Sequence, residues 1–488
     1  MNIKKVIRLM VSLICVLTFS IMLFPNHYAS DTYNIIELGF KEYAIKWFAP
    51  SGRIIGMLVL FIFEKIGCSC DLYIFIMKLI AILIATISIN IFYELLLKHS
   101  NQEINVLKKT VYFLSTIILF LNSATYEYFY YPESGVMWLG VLLVILAIKA
   151  NLRLEDKFRY IKSFVLVFLA MNCYQAIILI YLPMLILFLG LKYDSFKKVF
   201  CEILKSGIIL CLNLILGYLI IEILRNKFDV IIYRYNNIII NKDIMKYNLY
   251  ELLLLYNGGI PNLAITVINL MTVEFIVTIP KETLKYSRKN IIVMALLIIV
   301  ISFVQVFTLI SITDFYIADR IQYAYIATIG LNLLFMAFYT KILDIKIINK
   351  GFAIICMLIA IFNIFNSINI TIDSRLVRQR DIAIATRISK LIAEYENSNQ
   401  EIKYVEYCYD FYNTKFDKDV RKVGEATQRV MWGDWVIDNA IRYFSGKKEL
   451  IINKNQDIYK NIFNEKNWDE FSEEQVKFIN DTMYFCIY

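Results

Sequence analysis

The chain has 488 residues, of which 59% are hydrophobic and 19% are charged, and its formal net charge is +9. A soluble globular domain is usually about 45–50% apolar and about 25% charged, so the composition argues against an ordinary soluble protein. The basic residues fall in short clusters between apolar runs, as in the cytoplasmic loops of membrane proteins, and this pattern argues against nucleic-acid binding. The only histidines are His27 and His99, which argues against a His-based metal site or a Ser-His-Asp triad.

Apolar runs recur through residues 1–370, and many are about 18 residues or longer, enough to cross a hydrocarbon core of about 30 Å. With the basic clusters placed in the cytoplasm, the sequence predicts an α-helical polytopic membrane protein of about 11 transmembrane helices with a cytoplasmic N-terminus. Residues 1–24 resemble a signal peptide that we expect to be retained as an anchor. The predicted spans are 6–24, 72–97, 110–126, 135–150, two short helices within 163–191, 206–224, 262–280, 290–312, 321–340 and 351–370.

Two segments depart from simple spans. Residues 54–67 are apolar but too short to cross the bilayer, so they predict an interfacial or re-entrant helix. The block 163–191 has basic clusters at both ends, which predicts a hairpin whose polar turn, residues 172–175, lies on the outer side.

The last stretch, residues 371–488, has the composition of a soluble protein. Strands are predicted at 402–409, 450–452 and 483–488, and helices at 374–395 and 424–445. The sequence therefore predicts a transmembrane domain, 1–370, and a small extracytoplasmic α/β domain, 371–488. Cys408 and Cys486 lie on two of these strands, and both a disulfide and two free thiols are left open.

The predicted topology gathers acids and arginines at the outer side of the membrane. An acid there can take a proton from an acceptor hydroxyl, and an arginine can hold the phosphate of a lipid-linked donor. The candidates are Asp31, Glu37, Arg53, Glu127, Glu133, Tyr174, Gln175, Asp314, Asp319 and Arg320.

Several of these stretches resemble a known family. Asp31-Thr32-Tyr33, then Trp47, then Ser51-Gly52-Arg53 before an apolar half-helix, is similar to the N-terminus of the Gtr type II glucosyltransferases, which are polytopic enzymes related to the GT-C glycosyltransferases. The turn Cys173-Tyr174-Gln175, an arginine (Arg320) at the outer start of a late helix, and the soluble tail resemble that family too.

The resemblance implies a GT-C-like enzyme that moves a sugar, typically glucose, from a polyprenyl-phosphate donor to a cell-surface glycan. The reaction would occur on the outer face of the cytoplasmic membrane and would invert the anomeric carbon. In this prediction Asp31 is the general base, with Glu37 as a second catalytic candidate. Arg53 and Arg320 bind the donor phosphate. The predicted pocket residues are Tyr174, Gln175 and Glu133.

One departure from the family concerns a metal. Many relatives have two adjacent acids where this chain has Ser30-Asp31. We therefore predict no cofactor and no metal ligands, although a divalent metal is left open.

Each candidate also has a structural alternative. Asp31 would cap the helix that follows it, Arg53 would extend to lipid head groups, and Arg320 would pair with Asp314 or Asp319. Tyr174 and Gln175 would satisfy backbone groups at a helix break. For the whole protein, the alternatives are a flippase or transporter of lipid-linked glycans and a glycan polymerase or ligase.

Overall fold

The structure is a computed structural model that describes most of the chain. The contacts divide the chain into two compact units, Met1–Leu23 with Lys41–Ile368 and Phe24–Phe40 with Asn369–Tyr488. The sequence assigns residues 24–40 to the transmembrane domain, whereas in the structure they belong to the unit of the C-terminal residues. The described residues are 3–24, 28–100, 105–193, 195–229, 241–254, 256–257, 260–284, 286–310, 319–340, 343, 346–398, 400–410, 424–432 and 436–487.

The first unit is helical. Its helices up to the middle of the chain are α1 (Ile3–Phe19), α3 (Ile54–Ile66), α4 (Cys70–His99), α5 (Val106–Phe120), α6 (Ser123–Tyr130), α7 (Ser134–Asn151), α8 (Arg159–Cys173), α9 (Tyr181–Lys192) and α10 (Phe196–Phe228). They are followed by α11 (Lys242–Leu254), a short β1–β2 ladder (Tyr256–Asn257 and Ile260–Pro261), α12 (Asn262–Thr278), α13 (Arg288–Ile310), α14 (Tyr323–Ile326) and α15 (Thr328–Tyr339). Helix α2 (Ser30–Tyr43) contributes to both units and bends at Gly39, where φ is 76°.

Seven helices among the described residues are long and apolar enough to cross a bilayer, and the number is eight if the bent pair α5–α6 counts as one span. This is the pattern of a polytopic helical membrane protein, although it is fewer than the 11 predicted spans. Part of the difference between the predicted and observed numbers of spans comes from helices that are short or bent. Helix α12 has 17 residues and α8 has 15, and α5 bends by 57° against α6 after a break of two residues.

The predicted hairpin within 163–191 is confirmed. Helix α8 ends at Cys173, Tyr174 is extended (φ −162°), and a 3₁₀ turn, Gln175–Ile180, leads into α9. At the far end of the hairpin, Arg159 Nη1 donates to the Tyr193 hydroxyl at 3.5 Å. The residue that begins α8 therefore lies beside the residue that follows α9, so the chain has reversed its direction.

The hairpin also defines the two ends of the first unit. Lys192, the last residue of α9, donates to the Leu152 carbonyl, and Arg159, the first residue of α8, donates to the Asn151 carbonyl. These basic residues therefore gather at the end of the unit where α7 and α9 finish. The chain reversal at Tyr174 lies at the other end. Four of the acids and arginines that the sequence analysis places outside, Arg53, Glu127, Glu133 and Arg320, lie at that second end.

Helix α16 (Lys346–Glu396) is longer than predicted. The sequence predicts a span at 351–370 and a separate helix at 374–395, but the structure shows one helix of 51 residues. No proline or glycine follows Gly351 within it, so nothing in the sequence ends the helix at residue 370.

The second unit contains a four-stranded sheet in the order β4-β3-β6-β5. Its strands are β3 (Tyr404–Tyr409), β4 (Ile451–Lys454), β5 (Val476–Ile479) and β6 (Thr482–Ile487). Strand β3 is parallel to β4 and β6, and β5 is antiparallel to β6. Three of these strands are predicted, and β5 is missed because its four residues are a short, mixed run. The predicted helix 424–445 is too long, since the α-helix among the described residues of that stretch, 424–432 and 436–445, is α17 (Ile437–Ser445). A short helix α18 (Asp457–Asn461) follows β4.

Candidate functional site

The candidate site begins at the turn before α3. Gly52 has φ of +68°, and a Cβ atom there would lie 2.7 Å from Ile221 and 3.2 Å from Gln175 Nε2. The Gln175 side-chain amide donates to the Ser51 carbonyl, so a hydrogen bond connects the helix break after α8 to this turn. The side-chain amide of Gln175 is therefore hydrogen-bonded to a backbone carbonyl. Glycine at position 52 permits both the left-handed backbone and the close approach that fix Arg53.

Arg53 is paired with a glutamate. Its Nη1 donates to Glu133 Oε1 at 3.0 Å, and Glu133 is buried just before α7. The guanidinium also lies over the Tyr174 ring at 4.8 Å and near the Phe48 ring at 5.6 Å. Two of the predicted pocket residues, Glu133 and Tyr174, thus contact the predicted phosphate-binding residue.

Arg320 has a similar arrangement. Its Nη1 donates to Glu127 Oε2 at 3.1 Å and to the Tyr131 hydroxyl at 2.5 Å, and the guanidinium lies over the Tyr131 ring at 4.3 Å. The Tyr128 hydroxyl donates to the Arg320 carbonyl at 3.1 Å. Glu127 is 0% exposed and Arg320 is 7% exposed. The predicted structural partners of Arg320 do not include Glu127, and one of them, Asp314, lies outside the described residues.

The two ion pairs meet at Tyr174. Its ring lies 5.8 Å from that of Tyr128 and under the Arg53 guanidinium. The charges of Arg320, Arg53, Glu127 and Glu133 all act on its hydroxyl. Arg53 therefore contacts Tyr174 directly, and Arg320 is linked to it through Tyr128, although the two arginines are far apart in the sequence. We call Arg53, Arg320, Glu127, Glu133 and Tyr174 the arginine cluster.

The electrostatics of the cluster keep the Arg53 guanidinium charged beside a neutral Tyr174 phenol. Burial acts to lower the pKa of Arg53, but the Glu133 carboxylate raises it, and the net pKa lies above the ordinary value. Burial raises the pKa of Tyr174, although Arg320 and Arg53 lower it, and the net shift is upward. The Tyr174 hydroxyl is therefore protonated at neutral pH and can donate a hydrogen bond.

The cluster retains capacity for an anion. Arg53 Nε is buried and has no hydrogen-bond partner among the described residues. A buried guanidinium donor without an acceptor is costly, and a planar guanidinium suits a phosphate oxygen. Two arginines with one unused N–H and an adjacent phenol hydroxyl can bind a phosphate group by hydrogen bonds and charge.

Asp31 and Glu37 belong to the second unit. Asp31 lies in the first turn of α2, which begins at Ser30, so it is inside the helix rather than at its N-cap. There its carboxylate interacts favourably with the helix dipole. Glu37 Oε1 lies 4.0 Å from Arg442 Nη1 of α17.

Sequence reasoning missed part of the cluster. It includes Glu127 among the outer-side candidates without assigning it a catalytic, phosphate-binding or pocket position, and it does not single out Tyr131 or Tyr128. The aromatic run 126–131 predicts an interfacial belt, and its acid is as buried as its rings. An acid within an aromatic run is the signal that could have identified Glu127, because an unpaired charge is not stable in such surroundings.

The fold and the arginine cluster define the class: a polytopic helical membrane protein with a small α/β unit and a charged cluster at one end of its helices. A scan against protein-family models found no match to this chain, and a search of curated proteins found none either.

Proposed function

We propose that this protein is a GT-C-type glycosyltransferase, similar to the Gtr type II family, that uses a polyprenyl-phosphate-linked sugar as donor. The observation that supports the proposal is that Arg53 lies over the Tyr174 ring and Arg320 is linked to the same residue through Tyr128, with the buried Arg53 Nε left without an acceptor among the described residues. A phosphate that joins a sugar to a lipid is an anion held at the membrane surface, which is the ligand that such a cluster suits.

In the proposed reaction the acceptor hydroxyl loses its proton to the Asp31 carboxylate, and its oxygen attacks the anomeric carbon. The bond from that carbon to the phosphate oxygen breaks, and the electron pair stays on the phosphate. Arg53 and Arg320 stabilise the negative charge that develops there. The products are an inverted glycoside and polyprenyl phosphate, and Asp31 returns its proton to water.

The basic end of the first unit would face the cytoplasm in this proposal, following the positive-inside rule. The arginine cluster, at the opposite end, would then face the outer side of the cytoplasmic membrane. The acceptor would be a cell-surface glycan, and the second unit would lie outside.

The test is the release of polyprenyl phosphate by the purified full-length protein in lipid nanodiscs, supplied with polyprenyl-phosphate-glucose and extracted surface glycan. We expect release by the wild type and a loss of about 100-fold or more in Asp31→Asn, because a general base contributes about 10²–10⁴-fold. Asp71→Asn is the matched control, since Asp71 also lies in the first turn of a helix. Full activity of Asp31→Asn would remove Asp31 from the mechanism, and no release by the wild type would reject the proposal.

A transporter or flippase of lipid-linked glycans is the second candidate. Lys78 is buried within the long helix α4, and charged residues inside spans often mark a transport path. Movement of the intact lipid-linked sugar across a bilayer, without release of polyprenyl phosphate, would favour this candidate.

A further inference from the structure

Within the second unit, α2 and α17 meet through paired amide side chains. Asn439 Nδ2 donates to Asn34 Oδ1 at 2.6 Å, and Arg442 Nη1 donates to Asn439 Oδ1 at 3.4 Å. Asn34 is 3% exposed, yet its Nδ2 has no hydrogen-bond partner among the described residues. A buried amide N–H without an acceptor costs free energy, so it indicates an oxygen that comes from a ligand.

More unused polar groups lie on the same part of α2. Ser30 Oγ and Thr32 Oγ1 are both buried without a hydrogen-bond partner among the described residues. Asp31, Asn34 and Glu37 follow each other at a spacing of three residues, so they lie along one side of the helix. This side carries two carboxylates, an amide and a hydroxyl.

An aromatic ring borders this polar face. Tyr443 of α17 is one helical turn beyond Asn439 and is 40% exposed. Its ring lies 5.7 Å from that of Tyr33 and 6.3 Å from that of Tyr28, both in edge-on geometry. These rings hold Tyr443 in place while much of its surface remains open to a ligand.

The combination has a specific chemistry. Amide side chains both donate and accept, and carboxylates accept, which matches sugar hydroxyls because each hydroxyl does both. An aromatic ring next to a few convergent polar groups is a common ligand-site composition. Among the described residues named at this face, Asp31 and Glu37 carry carboxylates and Arg442 carries a guanidinium, so the balance of these charges is negative and disfavours an acidic ligand.

We propose that Asn34, Asn439 and Tyr443 form a binding site for a neutral glycan, and that this glycan is the acceptor. The inference rests on the proposed function, since it places acceptor recognition beside the candidate base on the same helix. Asn34 and Asn439 hydrogen-bond the sugar hydroxyls, and the Tyr443 ring contacts an apolar face of the sugar.

The first experiment measures acceptor KM in the transfer assay, with surface polysaccharide extracted from the source organism as the probe. Tyr443→Ala should raise the acceptor KM about tenfold and leave the donor KM unchanged, because it removes contact with the acceptor alone. Tyr443→Phe should keep the wild-type KM because it keeps the ring. Tyr404→Ala is the matched control, since Tyr404 lies on β3 in the same unit and is also 40% exposed.

Asn439→Ala should also raise the acceptor KM, whereas Asn453→Ala, at an exposed position on β4, should not. Thermal unfolding of each variant identifies a loss of folding. If Tyr443→Ala folds like the wild type and its acceptor KM matches that of Tyr404→Ala, the inference is overturned while the proposed function stands.

A second experiment separates the two proposals when the wild type releases no polyprenyl phosphate. Saturation-transfer NMR then measures direct binding of the neutral and acidic polysaccharide fractions to the full-length protein. Binding of the neutral fraction that Tyr443→Ala weakens and Tyr404→Ala does not supports the glycan site without the enzyme activity. No binding, or preference for the acidic fraction, overturns the site.

Discussion

Arg53 and Glu133 are eighty positions apart in the sequence, and their side chains meet at 3.0 Å in a partly buried ion pair. The glutamate occupies one N–H of the guanidinium that we expect to hold the donor phosphate. A carboxylate and a phosphate are both anions, so Glu133 competes for Arg53 while it also fixes the position of this side chain.

Glu133→Gln should therefore strengthen donor binding. Glutamine keeps the shape and one acceptor oxygen but removes the negative charge beside the phosphate. We expect the donor KM to fall about tenfold, which corresponds to about 1.4 kcal/mol. Donor KM in the nanodisc assay measures the effect, and Glu449→Gln, at an exposed position of the second unit, is the control. A higher donor KM in Glu133→Gln would show that the charge of Glu133 is needed to position Arg53.

The pair of Arg320 and Glu127 predicts a stability effect, because Glu127 is fully buried. Arg320→Met would leave that carboxylate without its cation, which typically costs about 3–5 kcal/mol. The double variant Arg320→Met/Glu127→Gln should recover much of the loss, since no buried charge then lacks a partner. Thermal unfolding in detergent measures both variants. An equal loss of thermal stability in the single and double variants would show that Arg320 and Glu127 do not stabilise the protein as a pair.

Sequence reasoning reached part of this site and part of the fold for identifiable reasons. The hairpin within 163–191 was predictable because basic clusters lie at both ends of an apolar block. The charges and the length of the block can both be seen in the local sequence. Arg53 and Arg320 were placed at the same side by the same rule. Their partners were not predictable, because Arg53–Glu133 and Arg320–Glu127 join segments 80 and 193 positions apart, and nothing local encodes such contacts.

Two features of the fold had no sequence signal of their own. Residues 24–40 follow the first apolar run directly, so the sequence places them in the membrane domain, yet they form part of the second unit. There, Asn34 bonds to Asn439 across 405 positions. The sequence predicts a break in α16 because the composition changes near residue 370, but no residue there ends a helix.

Gly52 offers a prediction with a close internal control. Gly52 and Gly67 both have φ of +68°, but a Cβ at position 52 would meet Ile221 at 2.7 Å, and one at position 67 would meet nothing within 4 Å. Alanine at either site incurs a left-handed backbone cost of about 1–2 kcal/mol. Only Gly52→Ala should also raise the donor KM, because the clash moves the turn that positions Arg53. Equal donor KM values in the two variants would show that the turn at Gly52 does not affect donor binding.

The last prediction concerns Cys408 and Cys486, for which the sequence left a disulfide open. They lie opposite each other on parallel strands β3 and β6, and both are buried free thiols. The hydrogen bond to Cys408 and burial raise the pKa of Cys486, and only a thiolate reacts readily. We expect N-ethylmaleimide to leave both unlabelled in the folded protein at neutral pH and to label both after denaturation without a reductant. Partly exposed Cys68 is the control for reagent access and should be labelled in the folded protein. A peptide that joins Cys408 to Cys486 in the non-reduced digest, or labelling of either residue as fast as Cys68, would contradict the buried dithiol.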